Sequence, residues 1–272
     1  MITLLLWAGI SAGLAGGLCG ILGVLQQRLR ITTAVFAVAH GALAGAAASL
    51  LLRTDPLITA LPAAALVALL MGPLTDLLNL PADLVALTLF STSNAIAFLC
   101  IALSPGIPIF GAEVTAVLWG SVLAATPGYT VLLSALLATT VLALSTTWPH
   151  LLPILFDRHL AEAEGLNTRR YVYGIIAGSG VVIVLSLRLV GAFLVFGLLY
   201  IPAALAIRTT QRLNHTLLMS AATGGVSGVI GLLLSLVTDL PVGACIVLTA
   251  TLLLITGTIT HGIASRTRVV YS

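Results

Sequence analysis

Long apolar runs alternate with short polar stretches along almost the whole chain. Each run is rich in Leu, Ala and Gly, and its length is close to the roughly 20 residues that a helix needs to cross the hydrocarbon core of a bilayer. A membrane barrel would instead show short segments of alternating hydrophobicity. The pattern predicts an all-α, polytopic integral membrane protein, a single transmembrane domain over residues 1–272 with about nine transmembrane helices. The predicted spans are 4–25, 34–52, 57–74, 84–103, 129–147, 172–187, 190–207, 217–237 and 242–263.

The apolar stretch 107–127 does not fit this pattern, because Gly and Pro interrupt it. Gly111 and Gly120 lie within the stretch and Pro127 closes it. Both residue types weaken or stop a helix. We therefore expect a short re-entrant or surface helix over 113–125 and no additional crossing.

The most polar stretch of the chain is 151–170, LLPILFDRHLAEAEGLNTRR. Predicted spans flank it on both sides, so it must lie in water while they lie in the bilayer. Its composition is compatible with a helix. We expect an exposed cytoplasmic helix that a partner protein contacts. Its six charged residues are Asp157, Arg158, Glu162, Glu164, Arg169 and Arg170.

The distribution of arginine predicts the orientation of the spans. The chain has no lysine, and its basic residues other than histidine are 11 arginines. If 151–170 faces the cytoplasm, all of them lie inside except Arg53 and Arg188. The opposite orientation places most of them outside, against the general excess of Arg and Lys in cytoplasmic loops. The predicted topology has the N-terminus outside and the C-terminus in the cytoplasm.

Composition and motifs narrow the classes of function. Only 7% of the residues are charged while 60% are hydrophobic, whereas soluble domains have about 25% charged residues. The charges are scattered, which argues against nucleic acid as a partner, and Cys19, Cys100 and Cys245 lack the spacing of a disulfide framework or a zinc site. A Gly-rich nucleotide loop, a nucleophile motif and H-E-x-x-H are all missing from the sequence. It predicts a non-catalytic chain: a pore, a secondary transporter or the membrane half of an ATP-driven system.

His40 is the ionisable residue placed deepest within a predicted span. Such a residue costs a few kcal/mol on insertion scales. Its helical face includes Phe36, Ala44 and Ala47, which predicts open volume beside the imidazole. A neutral imidazole is a good ligand for first-row transition metals. The alternative is a hydrogen bond from the imidazole to a neighbouring helix.

Other polar residues near the spans have two interpretations each. Asp83 and Asp239 are the further candidate metal ligands, and the alternative for each is a helix cap or turn residue. The cluster Ser91, Ser93 and Asn94 in the predicted span 84–103 either lines a pathway, together with Phe36, or forms hydrogen bonds to neighbouring helices.

Six segments carry motifs that occur together in one known family. They are 39–42 (AHGA), 83–91 (DLVALTLFS), 118–127 (LWGSVLAATP), 156–165 (FDRHLAEAEG), 190–204 (VGAFLV and IPAA) and 239–243 (DLPVG). In this order they resemble the permease subunits of bacterial ABC importers for zinc, manganese and iron(II). The resemblance extends from about residue 15 to residue 255.

The resemblance implies a function and a set of partners. The chain would take up a divalent transition metal by alternating access, with zinc or manganese favoured over iron. It would dimerise with a second copy in the bacterial inner membrane, receive the ion from an extracellular or periplasmic metal-binding protein, and dock cytoplasmic ABC ATPase subunits. ATP and Mg²⁺ would be bound by the ATPase, and this chain would bind no cofactor. The residues implied in coupling are Asp157, Ala161, Glu162, Glu164 and Gly165.

One position departs from the family pattern. The family usually carries aspartate four residues before the histidine, where this chain has Phe36. A hard carboxylate suits Mn²⁺, whereas a histidine without it favours zinc or weak, transient contact. The remaining alternative is a proton- or ion-coupled secondary transporter. The lack of a carboxylate well inside a predicted span argues against it.

Overall fold

The computed structural model describes residues 2–106, 111–121, 125–191 and 195–270, and all regular secondary structure within these ranges is helical. Eight helices are long and apolar enough to cross a membrane, and α9 is a shorter apolar helix. The predicted all-α polytopic fold with about nine spans is thereby confirmed. The helices are α1 Ile2–Leu29, α2 Thr32–Leu52, α3 Pro56–Leu78, α4 Ala82–Leu103, α5 Ala112–Trp119, α6 Pro127–Phe156, α7 Arg158–Ala163, α8 Thr168–Val190, α9 Val195–Thr209, α10 Leu213–Thr238 and α11 Val242–Val270.

The described helices form an inner and an outer set. Most residues of α1, α2 and α8 are buried among other helices, whereas α3, α4, α6, α10 and α11 expose most of their surface. The exposed surfaces are apolar, as the surface of a bundle that faces lipid tails must be. The inner helices α1 and α2 are rich in Gly and Ala, and small residues let helix backbones approach closely.

Contacts between polar side chains tie helix ends together at both ends of the bundle. The hydroxyl of Thr33, at the start of α2, donates to Asp83 Oδ1 at 2.5 Å, so α2 and α4 begin at the same end. Arg188, near the end of α8, lies 3.0 Å from Asp55 Oδ2, just before α3. Both pairs agree with the predicted topology, which places the two members of each pair at the same end of the bundle.

Two boundaries predicted from the sequence are wrong. The short helix expected over 113–125 ends at Trp119, and the span expected over 190–207 is divided between α8, which continues to Val190, and α9, which begins at Val195. Residues 122–124 and 192–194 lie outside the described ranges. The cause is a crossing of two backbones: a Cβ on Gly191 would overlap the backbone of Trp119 and Gly120. Gly120 has a φ of 82° and Gly191 a φ of 90°, and this backbone conformation ends α5 and α8.

The helix α6 is longer than the predicted span 129–147. It has 30 residues and includes Pro149 and Pro153 near its C-terminal end. At 1.5 Å per residue it is roughly 45 Å long, which exceeds the roughly 30 Å of the hydrocarbon core. It is therefore longer than one perpendicular crossing needs, and α7 follows directly after its last turn.

Helix α1 packs closely against α10 in antiparallel orientation. A Cβ on Gly16 would overlap the carbonyl group of Gly224, and a Cβ on Gly20 would overlap that of Ser220. Ser220 uses this proximity, because its hydroxyl donates to the carbonyl oxygen of Gly20 at 2.7 Å. Glycine is needed at this seam only because its missing side chain lets the two backbones approach closely.

We expect Gly16→Leu to destabilise the protein, because a leucine there must push α10 away; overpacking of this kind costs about 1–3 kcal/mol or more. The measurement is the thermal unfolding midpoint of the purified chain in detergent. Gly9→Leu on the same helix is the matched control, since a Cβ at Gly9 meets nothing within 4 Å. Equal midpoints for the two variants would contradict the assignment of this seam.

Candidate functional site

His40 lies inside a box of three phenylalanine rings. Its ring centroid is 4.7 Å from Phe36 on α2, 4.3 Å from Phe90 on α4 and 4.7 Å from Phe196 on α9. The Phe196 ring is parallel to the imidazole within 6°, and the Phe90 ring meets it edge-on at 80°. His40 is only 4% exposed. Three separate helices therefore converge on one imidazole.

The position of the box follows from the register of α2 and α4. Both helices begin at the same end of the bundle, where Thr33 contacts Asp83. His40 and Phe90 each lie eight residues into their helix, which is roughly 12 Å along the axis. They are therefore at the same depth and well inside the bundle.

One nitrogen of His40 is occupied and the other is available. Nδ1 lies 2.9 Å from the carbonyl oxygen of Phe36. A carbonyl can only accept, so Nδ1 carries the hydrogen and Nε2 keeps its lone pair. An imidazole held in this way is oriented to act as a metal ligand through Nε2.

The expected open volume beside the imidazole is wrong. The sequence placed Ala44 and Ala47 on the face of His40, but Phe90 and Phe196 from other helices close that volume. Within the described residues, no group of three or more His, Cys, Asp and Glu side chains is close enough to hold a metal ion. His40 is thus a single candidate ligand in apolar surroundings. The three rings close the space around it and add no further metal ligand.

The other two candidate metal ligands lie at opposite ends of the bundle. Asp83 is exposed and accepts a hydrogen bond from Thr33 where α1 passes into α2. Asp239 is exposed and caps the C-terminal end of α10 with φ 55°. Because α1 and α10 are antiparallel, Asp239 lies near the start of α1, roughly 40 Å from its end. The structure does not bring these two carboxylates and His40 together.

The polar cluster of α4 divides between two faces. Ser93 is buried, whereas Ser91 is exposed on the outer surface of the helix. Asn94 lies one turn beyond Phe90, and its buried Oδ1 has no hydrogen-bond partner within the described residues. An unpaired buried oxygen costs about 1–3 kcal/mol. Of the cluster, Asn94 is therefore the side chain that presents an unused polar atom closest to the phenylalanine box.

The stretch 151–170 is divided among three helices and does not form one helix of its own. Its first six residues complete α6, the six residues of α7 form a separate helix, and residues 168–170 begin α8. Asp157 caps α7: its Oδ1 accepts the backbone N–H groups of His159 at 2.9 Å and Leu160 at 3.2 Å. Gly165 ends this turn with φ 87°, where its N–H donates to the carbonyl oxygen of Glu162 at 3.0 Å. Most of the motif residues here shape the backbone.

Glu162 also serves the local structure. It accepts hydrogen bonds from the hydroxyl of Thr168 and from Arg158 Nε at 3.2 Å. The Thr168 hydroxyl, and after it Arg158, hold the pKa of the Glu162 carboxyl below its usual value. Glu162 is therefore ionised at neutral pH, and its two contacts are lost only as the pH falls below the usual carboxyl range. Ala161 is buried beneath it, 1% exposed.

The elbow between α6 and α7, residues 156–165, has an apolar outward surface. Phe156 is 78% exposed and Leu160 is 60% exposed, next to the exposed carboxylate of Glu164. Sequence analysis singled out the acids and missed these two side chains. Their sequence signal is a large apolar residue on each side of Asp157 within an otherwise polar stretch. Large exposed apolar side chains outside a lipid-facing surface are typical of an interaction site.

We expect Asp157→Ala to loosen α7, because the loss of an N-cap costs about 1 kcal/mol. The measurement is hydrogen–deuterium exchange of the backbone amides of residues 158–163 in the full chain. Exchange should quicken roughly fivefold on that energy scale. Asp157→Asn is the matched control, since asparagine caps equally well and removes only the charge. Equally faster exchange in both variants would show that charge, and not capping, is what matters.

The described helices form a polytopic, all-helical membrane bundle with a buried imidazole where α2, α4 and α9 meet. A family model described as "ABC 3 transport family" matches residues 1–261. The chain therefore belongs to the ABC 3 transport family. As the membrane permease of an ABC transporter it is not itself the catalytic subunit, and the family resemblance found in the six motifs is confirmed.

Named relatives agree with this family. The manganese transport system membrane protein MntC of Listeria innocua is 39% identical over 98 residues, which cover 36% of this chain and 35% of that protein. MntC of Halalkalibacterium halodurans is 28% identical over 252 residues, 89% of this chain and 82% of that protein. The first of these alignments therefore spans only about a third of the relative.

A solved structure shows the same fold. In PsaBC from Streptococcus pneumoniae in complex with Fab, one chain superposes with a TM-score of 0.81 at 24% identity. The match covers 92% of this chain and 89% of that chain. It supports the helix order and packing described above.

Proposed function

We propose that this chain is the membrane-spanning subunit of an ABC importer that takes up a divalent transition metal ion, zinc or manganese. The single observation that carries the proposal is the oriented His40, whose Nε2 is available deep inside a permease of this family. The relatives named for manganese transport support a metal as cargo. Imidazole is a ligand that suits the transition metals and not the alkali ions.

The phenylalanine box determines how such an ion would pass. With Phe36, Phe90 and Phe196 around it, the imidazole offers one nitrogen and no carboxylate. A single ligand binds weakly, which lets the ion leave again once the rings separate. Separation of α2, α4 and α9 on one side at a time is the movement that alternating access requires. Asn94 Oδ1, one turn from Phe90, would supply an oxygen ligand on the same route.

The partners follow from the proposed role. Two cytoplasmic ATPase subunits would hydrolyse ATP, an external binding protein would deliver the ion, and a second copy of this chain would complete the membrane unit. The exposed Phe156, at the end of α6, and Leu160, on α7, are the proposed apolar contacts with the ATPase. Glu164 adds a charged contact there. The proposed orientation has the N-terminus outside and α7 in the cytoplasm.

The rival function, a secondary transporter driven by protons or ions, has little support in the described residues. The carboxylates whose side chains are described lie at helix ends and turns, as Asp55, Asp83 and Asp157 illustrate. A transporter of that type usually needs an acidic group within its spans. Metal uptake that continues without the ATPase gene would favour it.

We expect His40→Ala to lower metal accumulation roughly tenfold or more, because a metal site is sensitive to the loss of a ligand on this scale. Zinc, manganese and iron are measured separately in cells that lack their own importers and express the chain with its ATPase and binding protein. His215→Ala, an exposed histidine on α10, is the matched control. Unchanged accumulation of all three metals in the His40 variant would refute the pathway.

We expect the double change Phe156→Ser and Leu160→Ser to lower the ATPase activity of the reconstituted complex about fivefold or more, as the loss of buried apolar anchors does at other interfaces. Co-purification of the ATPase should fall with it. Val237→Ser is the matched control, because Val237 is 83% exposed at the far end of α10. Full activity in the double variant would rule out this surface as the ATPase contact.

A further inference from the structure

An apolar groove of about 390 Å³ lies between α1, α6 and α8, on the outside of the bundle. Buried leucines Leu22 and Leu25 of α1 form one wall, and Leu144 of α6 forms the other. None of its lining residues belongs to α7 or to the phenylalanine box around His40. The function proposed above does not use it.

The threonines of the groove present methyl groups to it. All three lie along α6. Each hydroxyl donates to a carbonyl oxygen four residues earlier: Thr139 to Ala135, Thr140 to Leu136 and Thr147 to Ala143, at 2.6–2.8 Å. Their hydrogen-bonding capacity is used within α6. Along its length the groove therefore suits an alkyl chain and not a polar ligand.

The floor of the groove is kept open by two glycines of α8. Gly174 and Gly178 lie one helical turn apart and both line the groove. A Cβ on either would meet nothing within 4 Å. Their role here is to leave space, since neither packs against another backbone. The vacant volume continues along the helix past both positions.

A cation lies at one end of the groove. Arg170 lines it and is exposed, and its guanidinium forms no ion pair within the described residues. Next to it the Tyr171 ring stacks with His150, centroids 6.2 Å apart. From Arg170 to Val181 the groove follows α8 for roughly 16 Å. That is about half of the 30 Å hydrocarbon core, the depth of one leaflet.

We propose that this groove binds one anionic phospholipid, with an acyl chain along Gly174 and Gly178 and its phosphate on Arg170. A basic group at the membrane surface between spans is a general recognition element for anionic headgroups. Aromatic residues at headgroup level, such as Tyr171, accompany such sites. On the orientation predicted from the arginines, the lipid belongs to the cytoplasmic leaflet.

The test is native mass spectrometry of the full chain released from nanodiscs that contain equal amounts of palmitoyl-oleoyl phosphatidylglycerol and phosphatidylcholine. The wild-type chain should retain phosphatidylglycerol in preference to phosphatidylcholine. One cation at the surface contributes about 1 kcal/mol, so Arg170→Gln should lower that preference about fivefold. Arg169→Gln, the exposed neighbour that does not line the groove, should leave it unchanged.

A second variant tests the acyl chain separately. Gly178→Leu fills the groove and should abolish retention of both lipids at this site. Ala177→Leu is its control, because Ala177 is exposed on α8 but lines a different groove. The elution volume of each variant on size exclusion reports whether the fold is kept.

Three results would overturn the proposal. Wild-type chain that retains the two lipids in the nanodisc ratio has no anionic site. Equal losses for Arg170→Gln and Arg169→Gln would mean that general surface charge is responsible. Retention by Gly178→Leu equal to that of Ala177→Leu would show that the groove is empty of lipid or covered by another protein chain.

Discussion

The whole bundle depends on satisfying polar groups where no water is available. Backbone groups at membrane depth have to find partners inside the protein, and the helices provide them. Most of the described Ser and Thr side chains follow the same rule, since their hydroxyls donate to carbonyls of their own helix, as Thr249 does to Cys245 and Thr251 to Val247. Against this background an unused polar atom stands out. His40 Nε2 and Asn94 Oδ1 are therefore meaningful because almost everything around them is satisfied.

The same constraint separates the parts of the molecule by task. Carboxylates concentrate at helix ends and in the elbow around α7, where water or N–H groups receive them. The interior keeps one imidazole, and three phenylalanines shield it. Shielding and weak ligation belong together: an ion that met a full set of ligands at this depth would stay. A permease gains from a site that is poor at holding its cargo.

Sequence reasoning recovered the features that depend on short stretches and missed those that depend on distant ones. The approximate number of spans, the isolated histidine and the polar elbow follow from runs of residues. The box around His40 does not, because Phe90 and Phe196 belong to helices far along the chain. The break at Gly191 likewise results from its crossing with Gly120. At α7, Asp157 and Glu162 cap and brace the turn, while the neighbouring Phe156 and Leu160 are exposed.

The glycine seam between α1 and α10 has a consequence for biogenesis. During synthesis, α1 enters the membrane long before α10 exists, so its narrow glycine face has no partner while most of the chain is being made. The late helix must then reach the interior-facing side of the first one, past the intervening spans. Such distant pairing is slow because a long stretch of chain must be ordered first. Truncated chains that end before Leu213 would therefore lack the closure that gives the bundle its final form.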